Sequence, residues 1–365
     1  MTRIAVLGVG LIGGSVALAA RERYGARVAG WDPDGTVAAR GLELGVLDEV
    51  AESIERAAEG ADLIVCAAPV AELPRLCAAA LEASDAECIV TDVGSTKREV
   101  VAACAELEGR ERFVGGHPLA GAETAGVENA RPGLFEGAAW YLTPTSGSGG
   151  ITYDRLQRFV ARIGARPQAI DAESHDRVMA SVSHVPHVLA NALVADAAAA
   201  LTRESERLPE VGRSFRDTTR VAGANPAIWA DIFTANADAV ADGVESVAAR
   251  LAAAAELIRS RDRDAIAGWH RAALEDRRAL LDGQLERGEL SEVRIAVANR
   301  PGTVAEIALA LGRAGVNIED MGLAPASDMR TGSISIWVTG ERDVERTLAV
   351  ATELGHAASL AGAES

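Results

Sequence analysis

Three glycines near the N-terminus restrict the fold of this chain more than any other part of its sequence. Gly8, Gly10 and Gly13 follow the apolar stretch RIAVL and open a second apolar stretch. In a strand–turn–helix unit the first glycine makes the turn, the second lets backbone approach a pyrophosphate, and the third packs helix on strand. The free N–H groups at the helix N-terminus would face the phosphates. The motif therefore predicts a dinucleotide-binding unit.

Asp32 supports this prediction and indicates which dinucleotide binds. It follows the next strand-like stretch, RVAGW, and lies 19 residues after Gly13. A carboxylate there accepts hydrogen bonds from ribose hydroxyls and repels a 2′-phosphate, which favours NAD over NADP. Asp32 could instead cap the following helix. We assign these residues to the cofactor site: Gly8, Gly10, Leu11, Ile12, Gly13, Asp32 and Pro69.

The pattern of strands and helices divides the 365 residues into three parts. Residues 1–170 alternate short apolar stretches with helical ones, which predicts an α/β domain with a Rossmann-type, mainly parallel sheet. Residues 171–288 have helical spacing throughout and predict an all-helical domain that could supply a dimer interface. Residues 293–365 predict a small α+β domain of order βαββα.

Composition excludes several classes of function. Hydrophobic residues make up 48% of the chain and charged residues 24%, which is typical of a globular protein. The net charge of −17 argues against binding nucleic acid or an anionic membrane. Because we find no leader and no apolar run of about 20 residues, we expect a soluble cytoplasmic protein.

The cysteines and the single lysine carry no clear functional signal. Cys66, Cys77, Cys88 and Cys104 have neither CxxC spacing nor a His-rich companion segment, so we expect no metal site. They are interpreted as small buried side chains in a reducing compartment. Lys97 is the only lysine among 36 basic residues, a bias that we attribute to genome composition.

Two residues near predicted strand ends are candidates for acid–base chemistry. His117 lies just past a predicted strand, where open parallel sheets place their ligands. A neutral imidazole there can take a proton from a hydroxyl while the adjacent carbon gives hydride to a nicotinamide. Ser95 follows the preceding strand and could orient that imidazole. The alternatives are a loop histidine satisfied by backbone and a serine that caps a helix beginning at Thr96.

The helical region offers candidate substrate contacts. Ser183 and His187 are four residues apart and would share one helix face. His184 lies about 100° round the helix from Ser183, so we favour a structural role for it. His175 looks ordinary, as do the two remaining histidines.

Asp217 and Arg220 form a second candidate pair in this region. They are one helical turn apart, so the carboxylate could hold the guanidinium in position for an anionic ligand. An intrahelical surface pair is the alternative.

Taken together, these residues resemble the prephenate dehydrogenase family. The resemblance is carried by the segments GVGLIGGS, DVGSTK, GGHPLAGAETAGVENA, HDRVMASVSHVPHVLANAL and FRDTTRVAGANPAIWADIF. It implies NAD-dependent oxidative decarboxylation of prephenate to 4-hydroxyphenylpyruvate in tyrosine biosynthesis. By that resemblance His117 is the base, Ser95 orients it, and Ser183 with His187 contacts the substrate side chain.

The resemblance also implies how substrate charge is recognised. Arg220 would clamp a carboxylate, and Glu123 resembles the family's acidic residue at the pocket entrance, able to pair with Arg220 when no substrate is bound. A carboxylate at position 123 would also suit the ammonium group of arogenate, so an arogenate dehydrogenase stays an alternative.

Residues 293–365 resemble an ACT domain, a small ligand-sensing module, with NRPG in place of the commoner acidic turn. The resemblance implies paired modules and an amino-acid effector, for which we expect tyrosine, or else a ligand-free dimerisation module. The implied effector contacts are Asn299, Pro301, Gly302, Asn317 and Ile318.

Two other functions are compatible with the fold alone. A 3-hydroxyacid dehydrogenase also joins a Rossmann domain to helices, but that family uses a lysine in its helical domain, and the only lysine here is Lys97. A non-catalytic NAD-sensing regulator would be expected to lack His117 or Arg220, and both are present.

Overall fold

The computed structural model describes residues 1–121, 124–203, 211–282, 290–298, 300, 302–326 and 331–361. The chain forms two compact units. The first joins Met1–Asp176 to Glu289–Ser365, and the second is Arg177–Gly288.

The N-terminal part of the first unit alternates strands with helices. Its strands are β1 (Arg3–Leu7), β2 (Arg27–Trp31), β3 (Glu49–Val50), β4 (Leu63–Cys66), β5 (Ile89–Asp92), β6 (Gly115–Pro118), β7 (Ala139–Thr143) and β8 (Arg166–Ala169). Its helices are α1 (Leu11–Tyr24), α2 (Gly35–Glu43), α3 (Ile54–Ala58), α4 (Leu73–Ala83), α5 (Arg98–Ala105), α6 (Gly150–Arg162) and α7 (Ala172–Met179).

The first five strands form a parallel sheet in the order β3-β2-β1-β4-β5, which is the Rossmann order. This confirms the predicted fold class of the N-terminal region. Strands β1 and β4 are buried along almost their whole length, as parallel strands covered on both faces are.

A second sheet contains the remaining three strands in the order β6-β7-β8. β6 runs antiparallel to β7, and β7 runs parallel to β8. A parallel bridge between Val90 of β5 and Phe113, just before β6, joins the two sheets. The carboxyl ends of β5 and β6 therefore lie at the same edge as the glycine turn that follows β1.

The second unit is helical, as predicted. A π-helical turn, Ala180–His184, links α7 to the next helix. The helices that follow are α8 (Val185–Arg203), α9 (Arg213–Thr219), α10 (Pro226–Ala235), α11 (Ala237–Ser260) and α12 (Arg263–Asp282).

One helix of the described chain, Ala172–Ala200, is long and apolar enough by length and composition to cross a membrane. It carries four buried polar side chains, His175, Asp176, His184 and His187. Such groups are expensive in hydrocarbon and are ordinary in a protein interior when they have partners. The helix is therefore better explained as a structural helix of a globular protein.

The C-terminal region is an antiparallel sheet with two helices. Its elements are β9 (Leu290–Ala298), α13 (Thr303–Arg313), β10 (Asp320–Pro325), β11 (Thr331–Thr339), α14 (Glu341–Glu353) and β12 (Ala358–Leu360). The sheet order is β10-β11-β9-β12. The predicted order βαββα is thus observed, followed by one short strand that was not predicted.

This C-terminal region packs against the N-terminal part of the same unit. Helix α13 contacts α6 and β8, and the apolar core runs without a break through both parts. Gln168 on β8 donates a hydrogen bond from its amide Nε2 to Oδ1 of Asn317 at 3.1 Å. At Gly312 an added Cβ would collide with the carbonyl oxygen of Ala169, so backbone touches backbone at this interface.

Candidate active site

The three glycines of the first turn have the separate roles that the sequence predicts. Gly8 has φ +99°, and a Cβ there would collide with the carbonyl of Ala67. A Cβ at Gly13 would collide with the carbonyl of Gly8, so only glycine lets α1 pack this closely. A Cβ at Gly10 would meet no atom within 4 Å, and no side chain caps the N-terminus of α1. This open space beside free N–H groups fits a pyrophosphate.

Asp32 supports the glycine turn and is not the helix cap. Its Oδ2 accepts a hydrogen bond from the N–H of Val9 at 2.8 Å, and its Oδ1 accepts one from the N–H of Asp34 at 3.0 Å. Asp34 caps α2 by accepting hydrogen bonds from Thr36, and these bonds lower the pKa of Asp34. The capping alternative for Asp32 is therefore wrong.

The other predicted cofactor residues flank this turn. Leu11 and Ile12 are half-buried in the first turn of α1, and Pro69 is exposed after β4.

His117 is nine-tenths buried within β6 and begins a chain of hydrogen bonds. Its Nδ1 lies 2.9 Å from Nε2 of His175, and Nδ1 of His175 lies 2.8 Å from Oδ1 of Asp176. His175 and Asp176 are both almost completely buried. No sequence pattern indicates this link, because His175 is 58 residues away along the chain.

Ser95 does not orient His117 in this structure, contrary to expectation. The ring of His117 is held by His175, and the half-buried Ser95 has no side-chain hydrogen bond to a described residue. Ser95 is not a helix cap either, because α5 begins at Arg98 with Lys97 at the N-cap position. A role for Ser95 in binding substrate or cofactor stays a prediction.

Lys97 forms a buried ion pair with Asp92 directly behind His117. Its ammonium also donates a hydrogen bond to the carbonyl of Gly116 at 2.7 Å, while Asp92 accepts one from the N–H of Gly116 at 3.1 Å. Both charged side chains are fully buried. The pair fixes the backbone that precedes His117, so Lys97 has a structural role that composition alone does not indicate.

Electrostatics keeps His175 neutral and Asp176 ionised. Burial lowers the pKa of His175 and outweighs the hydrogen bond that His175 donates to Asp176, which acts to raise it. For Asp176, burial acts to raise the pKa, but the hydrogen bonds from His175 and from the N–H groups of Arg98 and Lys97 lower it below its ordinary value. A carboxylate thus lies at the inner end of the chain that leads to His117.

In the helical unit, His187 lies in an aromatic cluster. Its ring stacks on Trp229 at 3.6 Å between centroids and meets Phe233 edge-on at 6.0 Å. Burial lowers the pKa of His187, so it is neutral at pH 7. Its Nδ1 is buried and has no hydrogen-bond partner among the residues that the structure describes.

The neighbouring His184 has a different environment. It is buried, its Nδ1 lies 3.2 Å from Nδ2 of Asn236, and its ring meets Trp229 edge-on. These contacts agree with the structural role favoured for His184.

Ser183 is half-buried within the π-helical turn Ala180–His184, which the simple four-residue spacing did not anticipate. The cause is Pro186, which has no N–H to donate to the carbonyl of Val182 and disturbs the preceding turn. Such turns are frequent at functional sites.

Asp217 and Arg220 do not form the expected pair. Asp217 is 3.5 Å from Nε of Arg213, one turn earlier on α9, whereas Arg220 lies beyond the end of that helix in a short 3₁₀ turn. The helical spacing on which the expectation rested ends at Thr219. Arg220 is exposed, and Glu123 lies outside the described residues.

The four cysteines are free thiols and buried, which confirms their interpretation as small core side chains. Burial raises the pKa of Cys88 to about 12, so this thiol is unreactive at neutral pH.

Comparison with known proteins establishes the family. The model for the prephenate dehydrogenase nucleotide-binding domain matches residues 16–168, and that for the prephenate dehydrogenase dimerization domain matches residues 171–272. Prephenate dehydrogenase of Bacillus subtilis (strain 168) is 31% identical over 354 residues, covering 94% of each chain. The chain belongs to the prephenate dehydrogenase family.

Two further members differ in how much of the chain they cover. Prephenate dehydrogenase of Lactococcus lactis subsp. cremoris is 31% identical over 317 residues, covering 84% of this chain and 85% of its own. The crystal structure of Aquifex aeolicus prephenate dehydrogenase with hydroxyphenyl propionate and NAD⁺ has a TM-score of 0.68 and 30% identity. It covers 77% of this chain and 98% of its own, so part of this chain has no counterpart in that enzyme.

Three of the residues expected to bind an effector, Gly302, Asn317 and Ile318, lie where the C-terminal region meets the N-terminal part. Gly302 has φ +85° and faces the backbone of Ser146. Ile318 is buried in the core, and the amide of Asn317 is already bonded to Gln168 and Glu319, so these two are structural here. Asn299 and Pro301 lie outside the described residues.

A cavity of about 200 Å³ lies beside this turn. Its lining residues are Gly149, Gly150, Ile151, Val297, Ala298, Arg300, Thr303, Val304, Leu323 and Gly332. The hydroxyl of Thr303 is buried there without a hydrogen-bond partner in the described part of the chain.

Proposed function

We propose that this chain is an NAD-dependent prephenate dehydrogenase, which converts prephenate to 4-hydroxyphenylpyruvate and CO₂ in tyrosine biosynthesis. The observation that carries the proposal is the buried His117, held by an imidazole and a carboxylate at the sheet edge where the glycine turn opens. Family membership supports the same reaction.

The residues fit this chemistry. His117 takes the proton of the ring hydroxyl as the carbinol carbon loses its hydride. NAD⁺, when bound at the glycine turn, supplies the hydride acceptor. The ring carboxylate leaves as CO₂, its bonding electrons make the ring aromatic, and His117 returns the proton to the phenolate oxygen. Aromatisation drives the reaction, so the protein needs only to position the substrate and manage this proton.

Substrate recognition is assigned to the helical unit and to Glu123. Arg220 binds a carboxylate, and His187 uses its buried, unpaired Nδ1 to bind a polar group of the side chain. Ser183 assists it, and the family resemblance assigns Glu123 to the pocket entrance.

Steady-state assays test this proposal. Prephenate and arogenate are each assayed with NAD⁺ and with NADP⁺. The reduced cofactor is followed by its absorbance, and the release of CO₂ is measured in parallel. We expect turnover with prephenate and NAD⁺, with equal amounts of reduced cofactor and CO₂. Turnover of arogenate alone would assign the enzyme to the alternative substrate, and reduction of neither pair would refute the dehydrogenase.

We further propose that the enzyme is a cytoplasmic homodimer. The helical unit exposes large apolar side chains, among them Val182, Leu251, Ile258, Trp269 and Leu280, each more than half exposed. A monomer rarely exposes so much apolar surface, and a dimerization-domain match covers residues 171–272. A second copy of this chain would bury these side chains.

The C-terminal region is proposed to be an ACT-like module that binds tyrosine. The cavity beside Gly302 has an apolar wall of Ile151, Val304 and Leu323, which suits an aromatic ring. Arg300, whose guanidinium is 3.9 Å from the carboxylate of Glu306, suits a carboxylate, and the unpaired hydroxyl of Thr303 can accept a hydrogen bond from an ammonium group. The tyrosine pathway makes its end product a natural effector.

A further inference from the structure

We propose that His175 and Asp176 act as a relay behind His117. They fix the protonation form in which it works as a base, and they share the proton that it takes. The inference rests on the proposed function, because it assigns positioning residues to that reaction. It uses a buried carboxylate and a second histidine that the reaction scheme above leaves without a task.

The hydrogen bonds determine where each proton lies. Asp176 is ionised and can only accept, so Nδ1 of His175 must carry a proton and donate it. His175 is neutral, so its Nε2 is bare and accepts from Nδ1 of His117. His117 is thereby held with its proton on Nδ1, and Nε2 is the nitrogen that takes the substrate proton.

The inner end of the relay is anchored. Oδ1 of Asp176 accepts the N–H of Lys97 at 2.8 Å, and Oδ2 accepts the N–H of Arg98 at 3.0 Å, with Arg98 also in ion-pair contact. The side chain of Lys97 holds the backbone of Gly116, next to His117. The short segment Lys97–Arg98 therefore positions both ends of the relay, the carboxylate of Asp176 and the base His117.

The relay can also move the positive charge that forms on His117 during the reaction. When Nε2 of His117 takes the proton, the proton on Nδ1 can move to Nε2 of His175. The positive charge then lies on His175, against the carboxylate of Asp176, and it returns by the reverse steps. No atom is lost or gained in this exchange. The other groups that face His175 are the ring of Tyr141 at 5.5 Å and the charges of Lys97 and Asp92.

Two substitutions at one position separate the relay from simple packing. His175→Phe keeps an aromatic ring but removes the acceptor Nε2, so His117 is no longer held in the tautomer that has its proton on Nδ1. We expect a fall in kcat of about 10²-fold or more, at the low end of general-base effects. His175→Gln can present an amide oxygen near the position of Nε2 and should recover about tenfold of that loss. KM for prephenate and the affinity for NAD⁺ should change much less than kcat, because His175 contacts the base and none of the residues assigned to the substrate side chain or to the cofactor.

His117→Asn, which removes the base, should lower kcat by about 10²–10⁴-fold and sets the upper limit for the loss at position 175. His270→Gln, an exposed histidine on α12, is the matched control.

A pH profile tests the charge-sharing step. Asp176→Asn removes the negative charge that favours the protonated histidine pair, so the acid limb of kcat/KM should move to lower pH. A packing role predicts a lower rate with an unmoved limb. Equal losses in His175→Gln and His175→Phe, together with an unmoved limb in Asp176→Asn, would overturn the relay.

Histidine nitrogen NMR gives a readout that does not depend on turnover. The six histidines can be labelled with ¹⁵N, and the spectrum at pH 7.5 should show His117 and His175 each protonated at Nδ1 with a bare Nε2. His175→Phe should return His117 to a mixture of forms. His117 protonated at Nε2 in the unsubstituted protein would overturn the inference. An inactive protein with the expected spectrum would refute the proposed function and leave the relay standing.

Discussion

The carboxylate of Asp32 combines two interactions at one site. Two of its acceptor positions are used by backbone N–H groups of Val9 and Asp34, and its charge remains close to the glycine turn. A 2′-phosphate placed near this charge would be repelled. Selectivity for NAD⁺ is thus tied to the same group that shapes the turn.

We expect at least a tenfold preference for NAD⁺ over NADP⁺ in kcat/KM, which corresponds to about 1.4 kcal/mol. Asp32→Asn removes the charge and keeps an oxygen for the N–H of Val9, so it should narrow this ratio while NAD⁺ binding weakens only slightly. Asp32→Ser should narrow it and also weaken NAD⁺ binding. Cofactor kinetics of both variants provide the measurement, and an unchanged ratio would contradict a role for the charge.

Arg220 offers a second prediction for a single residue. A charge-assisted hydrogen bond contributes about 1.5–3 kcal/mol, so Arg220→Ala should raise KM for prephenate by about 10–100-fold with a smaller change in kcat. Arg220→Lys should recover only part, because an ammonium lacks the forked geometry. Arg213→Ala, which removes the observed partner of Asp217, is the control and should leave KM unchanged. A normal KM in Arg220→Ala would remove this residue from the substrate site.

At the scale of elements, the turn between β1 and α1 separates ligand binding from packing. Gly10→Ala adds a methyl group to open space, so the free energy of unfolding should hardly change while NAD⁺ binding weakens by tenfold or more. Gly13→Ala forces α1 away from β1, so it should cost about 1–3 kcal/mol of stability as well as NAD⁺ binding. Urea unfolding and NAD⁺ titration measure the two effects. Equal stability losses in both variants would contradict this division of roles.

The elements that the sequence predicted well are those with a strong local pattern. The buried strands β1 and β4 are almost wholly apolar in sequence, and the glycine turn has its own signature. The short strands β3 and β12 have two and three residues, too few for any period to show. The π-helical turn before Pro186 arises from one missing donor within an otherwise helical pattern.

The site was predictable only where chemistry follows local sequence. His117 stands in a distinctive segment at a strand end, but its partner His175 comes from a helix 58 residues later, and only folding brings their nitrogens within 2.9 Å. The same holds for Lys97, whose buried partner and backbone contact depend on the junction of β5 with β6. Pairs assumed from helical spacing failed where the helix ended, as at Arg220.

For the molecule as a whole, the C-terminal region is part of the compact unit that binds the cofactor. Its helix α13 covers α6 and β8, and the apolar core continues across the junction. Effector binding at this junction would act directly on the packing of the nucleotide-binding part. Regulation then requires only that the effector bind one arrangement of the junction better than another.

Point variants in the cavity test this regulation better than truncation, because removing the region would expose the apolar faces of α6 and β8. Arg300→Gln removes the charge available to a carboxylate, and Thr303→Val removes the unpaired hydroxyl at nearly constant volume. If tyrosine binds here, each variant should raise the tyrosine concentration that is needed for the part of the inhibition that prephenate does not compete away. We expect a rise of about tenfold or more for Arg300→Gln and of about 2–10-fold for Thr303→Val, from the usual strengths of a charged and a neutral hydrogen bond. Rates without tyrosine should stay the same, because neither residue belongs to the catalytic site.

The part of tyrosine inhibition that is competitive with prephenate should persist in both variants, since tyrosine resembles the product and can bind at the active site. Arg313→Gln, at the far end of α13 where it pairs with Asp171, is the control. Full non-competitive inhibition in both cavity variants would show that tyrosine acts elsewhere.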